Sequence, residues 1–374
     1  ETVDQAAGTI TFPVSFNVSS ATNYILRMDF SSLSEGDTVR ISLNSADVTT
    51  AYSVTGAATA VTHSETTVTP GWMATETYTG DGTNNRAITG VGFQPDVVII
   101  KGDTSKNAFL RSSTMTGDAS KSLVGNPSLQ SGRIQSLDAD GFTVGSSNAD
   151  VNGGGTTYYW VAFKVNAGQL DVGTYSGNGA DNRSIGGVGF QPDYVIVLSA
   201  GSHNVLHHSS TMPADFSVRF SEQTMFTDRI QAFEPDGFQV GTHNQVNMSG
   251  TTYHYVAFKA SAGQLSVGSY PGDGANDRNI TGVGFQPVYL ILKAEGVNAA
   301  HRMSSVTGDS TLDFKTVANY ADGIQALQTD GFQVGTHTKV NQSTKTYYWM
   351  AFNNAPASSS PRIISWTEVD PHYP

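Results

Sequence analysis

Cysteine is absent from the 374-residue chain, which excludes disulfides, thiolate metal sites and thiol nucleophiles. Charged side chains are scarce at 14% of residues, and 20 Lys and Arg against 32 Asp and Glu leave a net charge of −12. The basic residues form no cluster, so the phosphate neutralisation on which nucleic-acid binding depends is missing. An acidic, lightly charged surface suits solubility, or cation binding between carboxylates. Apolar runs are short, and none approaches the roughly 20 residues needed to cross a bilayer. The chain begins at Glu1 without an apolar leader, as a mature or excised product would. Helical periodicity is missing too, and Gln223 to Asp228 is the one stretch that admits a helix.

Glycine, by contrast, is abundant at 39 residues, alongside many Ser, Thr, Val and Tyr. That composition favours short strands joined by tight turns. One phrase organises the chain: Gly-Val-Gly-Phe-Gln-Pro at Gly90 to Pro95, Gly187 to Pro192 and Gly282 to Pro287. Around each copy the landmarks recur in one order. A polar turn ends in Arg86, Arg183 or Arg278, and the phrase leads into Val97-Val-Ile-Ile, Val195-Ile-Val-Leu or Leu290-Ile-Leu. An Asp-Gly-Phe turn follows at Asp140, Asp236 and Asp330, then an aromatic closing strand at Thr157 to Lys164, Tyr253 to Lys259 and Tyr347 to Phe352. Proline is poorly placed inside a central strand, so Pro95 marks a strand entrance. The run after it reads as buried on both faces. Aromatics on both faces of Thr157–Lys164 make that strand central.

The fold class is therefore all-β: three tandem β-sandwich, jelly-roll-like modules between an N-terminal β-segment and a C-terminal strand tail. The boundaries are 1–72 for the N-terminal segment, 73–167, 168–262 and 263–353 for the modules, and 354–374 for a linker and terminal strand. Ala167-Gly-Gln-Leu and Ala262-Gly-Gln-Leu join the modules with no free linker, which predicts a stiff rod or compact row. Period-two alternation at Thr9 to Val18 and in Arg362 to Val369 reads as terminal strands without partners in their own module. Such strands pair with each other or with an adjacent subunit.

The pattern Tyr-x-Gly-(Asp/Asn)-Gly, Gly-Phe-Gln-Pro, Asp-Gly-Phe-x-Val-Gly and Thr-Tyr-x-x-x-Ala-Phe resembles a β-sandwich module of phage tail fibres and bacterial surface or secreted proteins. The resemblance covers Met73 to Phe352 and neither end. It implies a structural or adhesive role and brings no catalytic residues.

Candidate sites follow from residue type. Asp81, Asn84, Asn85, Asn178, Asp181, Asp273, Asn276 and Asp277 place hard oxygens in matching loops, where they either hold Ca2+ or build Asx-rich turns. Tyr158, Trp160, Tyr253, Tyr255, Tyr347 and Trp349 either stack on glycans or fill a core. Ile10, Phe12, Val14, Phe16, Ile363, Ile364, Trp366 and Val369 are candidate assembly residues in the terminal strands. Asp118, Asp215 and Asp309 recur, but as turn residues rather than paired glycosidase carboxylates. The nine histidines show no metal-ligand spacing and read as solvated. Sequons at Asn17, Asn182, Asn247, Asn279 and Asn341 would accept glycans in a secreted setting. No nucleophile elbow or oriented Ser–His–Asp set is present, so no enzyme is expected. The expectation is an extracellular, cell-surface or virion-surface structural protein that self-assembles into an oligomer or filament. The alternative is a carbohydrate-binding adhesin or phage tail-fibre module that takes surface glycans. No nucleic acid, membrane span or cofactor other than Ca2+ is implied.

Overall fold

The computed structural model describes residues 71–103 and 105–354, and the backbone of four short strands before them. Thr2–Asp4 pairs antiparallel with Thr9–Thr11, and Arg40–Ile41 with His63–Ser64. Side chains of the candidate assembly residues Ile10, Phe12, Val14, Phe16, Ile363, Ile364, Trp366 and Val369 lie outside the described residues. Residues Glu1–Val68 and Ser359–Pro374 form one compact unit, and Thr69–Ser358 form another.

The second unit is all-β and holds the three modules. In the first, a five-stranded antiparallel sheet runs Met73–Thr79, Thr157–Phe163, Val97–Gly102, Phe109–Ser112, Lys121–Ser122. Against it lies a three-stranded sheet, Ile134–Asp138, Gly141–Val144, Arg86–Thr89. The third module repeats this arrangement, starting from Leu265–Pro271. The second, starting from Leu170–Ser176, has a four-stranded sheet because residue Val218 pairs with His207 only as an isolated bridge. Among the described residues helix is confined to Asn244–Asn247, Thr338–Asn341 and a 3-10 turn at Ser147–Ala149. His243 and His337 start the two α-turns by accepting from the N–H groups of Gln245 and Lys339. Gln223 to Asp228, which admitted a helix on sequence, is irregular chain with one bridge at Phe226.

The two apolar faces of the closing strands have different destinations. Tyr158, Trp160 and Ala162 face Phe142, Val144 and Ile134 inside the first module's own sandwich. Val161 and Phe163 face the opposite way, into a core shared by all three modules. Phe163, Phe258 and Phe352 meet there with ring centroids 5.4, 5.3 and 5.4 Å apart, and Trp72 packs on all three. Nearly equal spacing of three equivalent rings defines a pseudo-threefold axis.

A rod or row was the sequence expectation, and it is corrected here. In a row the first and third modules would not touch, yet Ala108 N–H donates to the Phe314 carbonyl at 2.9 Å. Ala299 donates to Phe220 between the third and second modules, and Leu129 to Ala200 between the first and second. The modules close into a ring. The tight joints do fix neighbours, but only burial of the apolar inner faces decides that they fix them around an axis.

Within each module the two glycines of the organising phrase have φ between +83° and +88°. They aim two N–H groups at one carboxylate: Gly90 and Gly92 at Asp140, Gly187 and Gly189 at Asp236, Gly282 and Gly284 at Asp330. The phrase and the Asp-Gly-Phe turn are two halves of one device. Hydrogen bonds from Gly189 and Gly187 hold the Asp236 carboxyl below its usual pKa. The glycine after each aspartate is equally constrained: at Gly237, with φ +144°, a Cβ would stand 2.0 Å from the Ile185 carbonyl oxygen. That oxygen is backbone and cannot move aside. Gly237→Ala should therefore lower unfolding stability by about 2 kcal/mol or more, read from the denaturant midpoint. An unchanged midpoint would contradict this packing.

Candidate functional site

The repeated polar loops lie on exposed turns and are built alike. Asp81 accepts from the N–H and hydroxyl of Thr83 at 2.8 and 2.7 Å. Those bonds, the backbone one first, hold its pKa at about 2. Arg86 pairs with Asp81 at 3.4 Å and donates to the Thr79 carbonyl and to Asn152 Oδ1. Asn152 in turn donates to Asp81 and the Thr83 carbonyl. Asp273, Arg278 and Asn341 repeat the clamp in the third module. In the second, Asn178 replaces the aspartate, and Arg183 keeps its bonds to Ser176 and Asn247.

The remaining loop residues serve the same turns. Asn84 accepts from Gln135, Asp181 from Asn182 and Gln231, and Asn276 from Gln325. Asn85 and Asp277 occupy left-handed conformations at φ 57° and 55°. Most of these loop oxygens therefore already accept from donors within the turn or from the strands and turns beside it. Among the described residues no three His, Asp or Glu side chains converge as a metal site.

The proposed glycan-stacking aromatics are corrected. Tyr158, Trp160, Tyr253, Tyr255, Tyr347 and Trp349 are all buried, the most exposed at 6%. They stand on the face turned into each module's own sandwich, with Tyr158 stacked on Tyr78 and Tyr253 on Tyr175. Their hydroxyls serve the structure, as when Tyr158 donates to the Ala149 carbonyl and accepts from Gly153 N–H. No sugar reaches a ring face there. Trp349 also lies across Gly268, where a Cβ would meet it at 2.2 Å, and Tyr255 crosses Gly173 likewise.

Four histidines overturn the solvated reading. His207 and His301 are 0% exposed, and His208 and His254 are buried as well. They sit on inner strands: His207 and His301 take the register position of Leu110, against Ile196, Ile291 and Ile99. A single sequence cannot distinguish a histidine in a leucine's place from a surface one. The repeat alignment against Leu110 is the signal that would have found them.

Asp118, Asp215 and Asp309 close turns as expected, accepting from the N–H of Gly132, Asp228 and Asp322. Of the sequons, Asn247 and Asn341 are fully buried and hydrogen-bonded, so they cannot carry glycans. Asn182 and Asn279 are exposed, and Asn17 lies outside the described residues.

One cleft of about 590 Å3 opens on the third module, lined by Gln286, Val288, Arg302, Met303, Leu327 and Asn353 among others. Its counterparts differ at one telling position. Asp96 and Asp193 accept from Val165 N–H and Ala260 N–H, strapping the chain as it enters the next module. Val288 stands where those aspartates stand, pairing with the same backbone of Phe352 as Asp96 does with Phe163. The sequence carried this signal in the third Gln-Pro-x triplet, which alone lacks the acid.

A family model described as a domain of unknown function, DUF7483, matches residues 69–171. That range covers the first module, whose landmarks the second and third repeat. No curated protein matches the chain.

Proposed function

We propose that the chain is a structural subunit of an extracellular fibre or filament, with assembly carried by its two ends. The supporting observation is how little apolar surface the three-module unit offers. Among the described residues Val165 and Met248 are the only large hydrophobics left exposed, at 39% and 42%. A surface of that kind has no patch from which a stable interface is built. The edge strands of the three-stranded sheets are short, and one edge of each carries a bulge, after Ile134, Ile230 and Ile324. Both features discourage edge pairing. Self-association therefore falls to the terminal strands, by strand addition between subunits.

The test is deletion of Arg362 to Pro374. Intact protein should form oligomers that lengthen in micrographs, and the shortened chain should be monomeric with an unchanged aromatic circular dichroism signal. An intact chain that stays monomeric at high concentration would sink the proposal.

A second reading, a carbohydrate-binding adhesin, is favoured by the threefold repetition of the exposed Asp/Asn loops. Three equal weak sites on one body gain avidity without new contacts. Binding on a glycan array, lost when Asp81, Asn178 and Asp273 are together changed to Ala, would support it. An array without signal would remove it.

A further inference from the structure

Each of the three contacts that close the ring holds a fully buried lysine. Lys121 of the first module donates to the Gly201 carbonyl of the second. Lys293 of the third donates to Ser221 of the second, and Lys101 of the first to Val317 of the third. The lysines do not occupy one register position. Leu198 stands where Lys101 and Lys293 stand, and there Lys121 reaches across from the opposite side. The contact kept its ammonium while changing the residue that supplies it.

Each lysine also faces a buried histidine of the module it meets. Lys121 lies near His254, Lys293 near His207 and Lys101 near His301, and each acts against the protonated imidazole. Burial, the larger cause in all three, acts in the same direction. The imidazoles are built in as neutral rings. His207 stacks on Phe220 and His301 on Phe314, and those two phenylalanines meet at 4.5 Å across the second and third modules.

Among the described residues no carboxylate acts on His207, His254 or His301. His207 meets the Tyr194 hydroxyl at 3.2 Å, the Arg219 backbone, Lys293 and His208. His301 packs edge-on to Tyr289 and has no hydrogen-bond partner on either nitrogen. His254 Nδ1 bonds the Thr114 hydroxyl of the first module at 2.8 Å. The nearby acids serve the lysines: Asp313, Asp103, Glu222 and Glu295 favour the ammonium of Lys101 or Lys293.

We propose that the ring is an acid-released closure: on acidification one histidine per contact takes up a proton beside its neighbour's lysine, and the modules part while each keeps its own sandwich. The direction follows from linkage. A base whose folded pKa is depressed disfavours the closed form as pH falls below its free value, 6.5 for histidine. The window runs from 6.5 downward, to about 4 for His254. The lysines, held near 8, 8 and 7, complete their part of the same effect above this window. At pH 5 each histidine weakens closure by roughly 20-fold relative to neutral pH.

Hydrogen exchange of the full chain tests this at three amides, Ala108, Ala299 and Leu129, one on each contact. Corrected for intrinsic rate, their protection should fall by roughly 20-fold or more between pH 7 and pH 5, while amides of Thr157–Phe163 paired inside one sheet keep theirs. The repeat itself supplies the control substitutions: His207→Leu and His301→Leu copy Leu110, and His254→Tyr copies Tyr159 and Tyr348. The triple variant should show flat protection across that range. If it fails to fold, His254→Tyr alone should flatten Leu129. Equal protection of the parent at pH 7 and 5, or an acid response unchanged in the variants, would overturn the proposal.

Discussion

Phe258→Ala should cost about 3–5 kcal/mol of unfolding free energy, because truncating a ring on the axis leaves a cavity bounded by all three modules. Phe258 is 2% exposed and touches Phe163, Phe352, Trp72 and Tyr194. These partners have little room to collapse, since Phe163, Tyr194 and Phe352 are anchored in the sheets of three different modules. At pH 7, with the ring closed, the unfolding curve should keep a single transition, because parting any module exposes the inner faces of the other two as well. Urea titration followed by tryptophan emission reads both quantities. A loss below about 1 kcal/mol, or three separable transitions, would mean that the modules are stable individually and merely adjacent.

Arg111→Met should cost about 3 kcal/mol or more by a different mechanism. The guanidinium is buried, its pKa lowered by that burial, and it donates to four carbonyls: Ala119, Ile134, Met115 and Gly117. It ties an inner strand to the turn and to the outer sheet. Methionine fills most of the volume and satisfies none of the acceptors, and each buried carbonyl left unpaired costs about 1–3 kcal/mol. Arg302 repeats the arrangement with Ser310, Ile324, Val306 and Gly308. The second module uses His208, bonded to the Phe216 carbonyl, in its place. Arg111→His should therefore lose less than Arg111→Met, and the reverse order would refute this account.

Sequence and structure differ in what they make legible. Periodicity and turn chemistry placed the strands because their causes are local. Pro95 excluded itself from a strand that begins at Val97, and the Asp-Gly-Phe turn needed its glycine at φ +147°. The alternating aromatics of Thr157–Phe163 announced a central strand, and it lies between Met73–Thr79 and Val97–Gly102. The outward polar loops were also readable as Asx turns, since Asp81, Asn178 and Asp273 each accept from the N–H two residues on.

Their aromatic neighbours were not readable in the same way. An alternating strand says that two faces are apolar and does not say what covers each. Tyr158 and Trp160 therefore served equally as sugar platforms and as core until the outer sheet was seen to cover them. The histidines failed for a related reason: His207 and His301 differ from solvated residues through a phenylalanine on a later strand and a lysine of another module, neither of which local pattern reveals.

By itself, then, the sequence determined that the chain is all-β, that one module is written three times, and that glycines turn each module while a proline opens its buried strand. Those features depend on φ preferences and on bonds within one repeat. Only the tertiary structure decided that the three modules close around Phe163, Phe258 and Phe352, with a lysine and a neutral histidine sealed into every contact. Closure depends on which apolar faces remain uncovered once each sandwich has formed, and burying those faces against one another is a property of the assembled modules, not of any one of them.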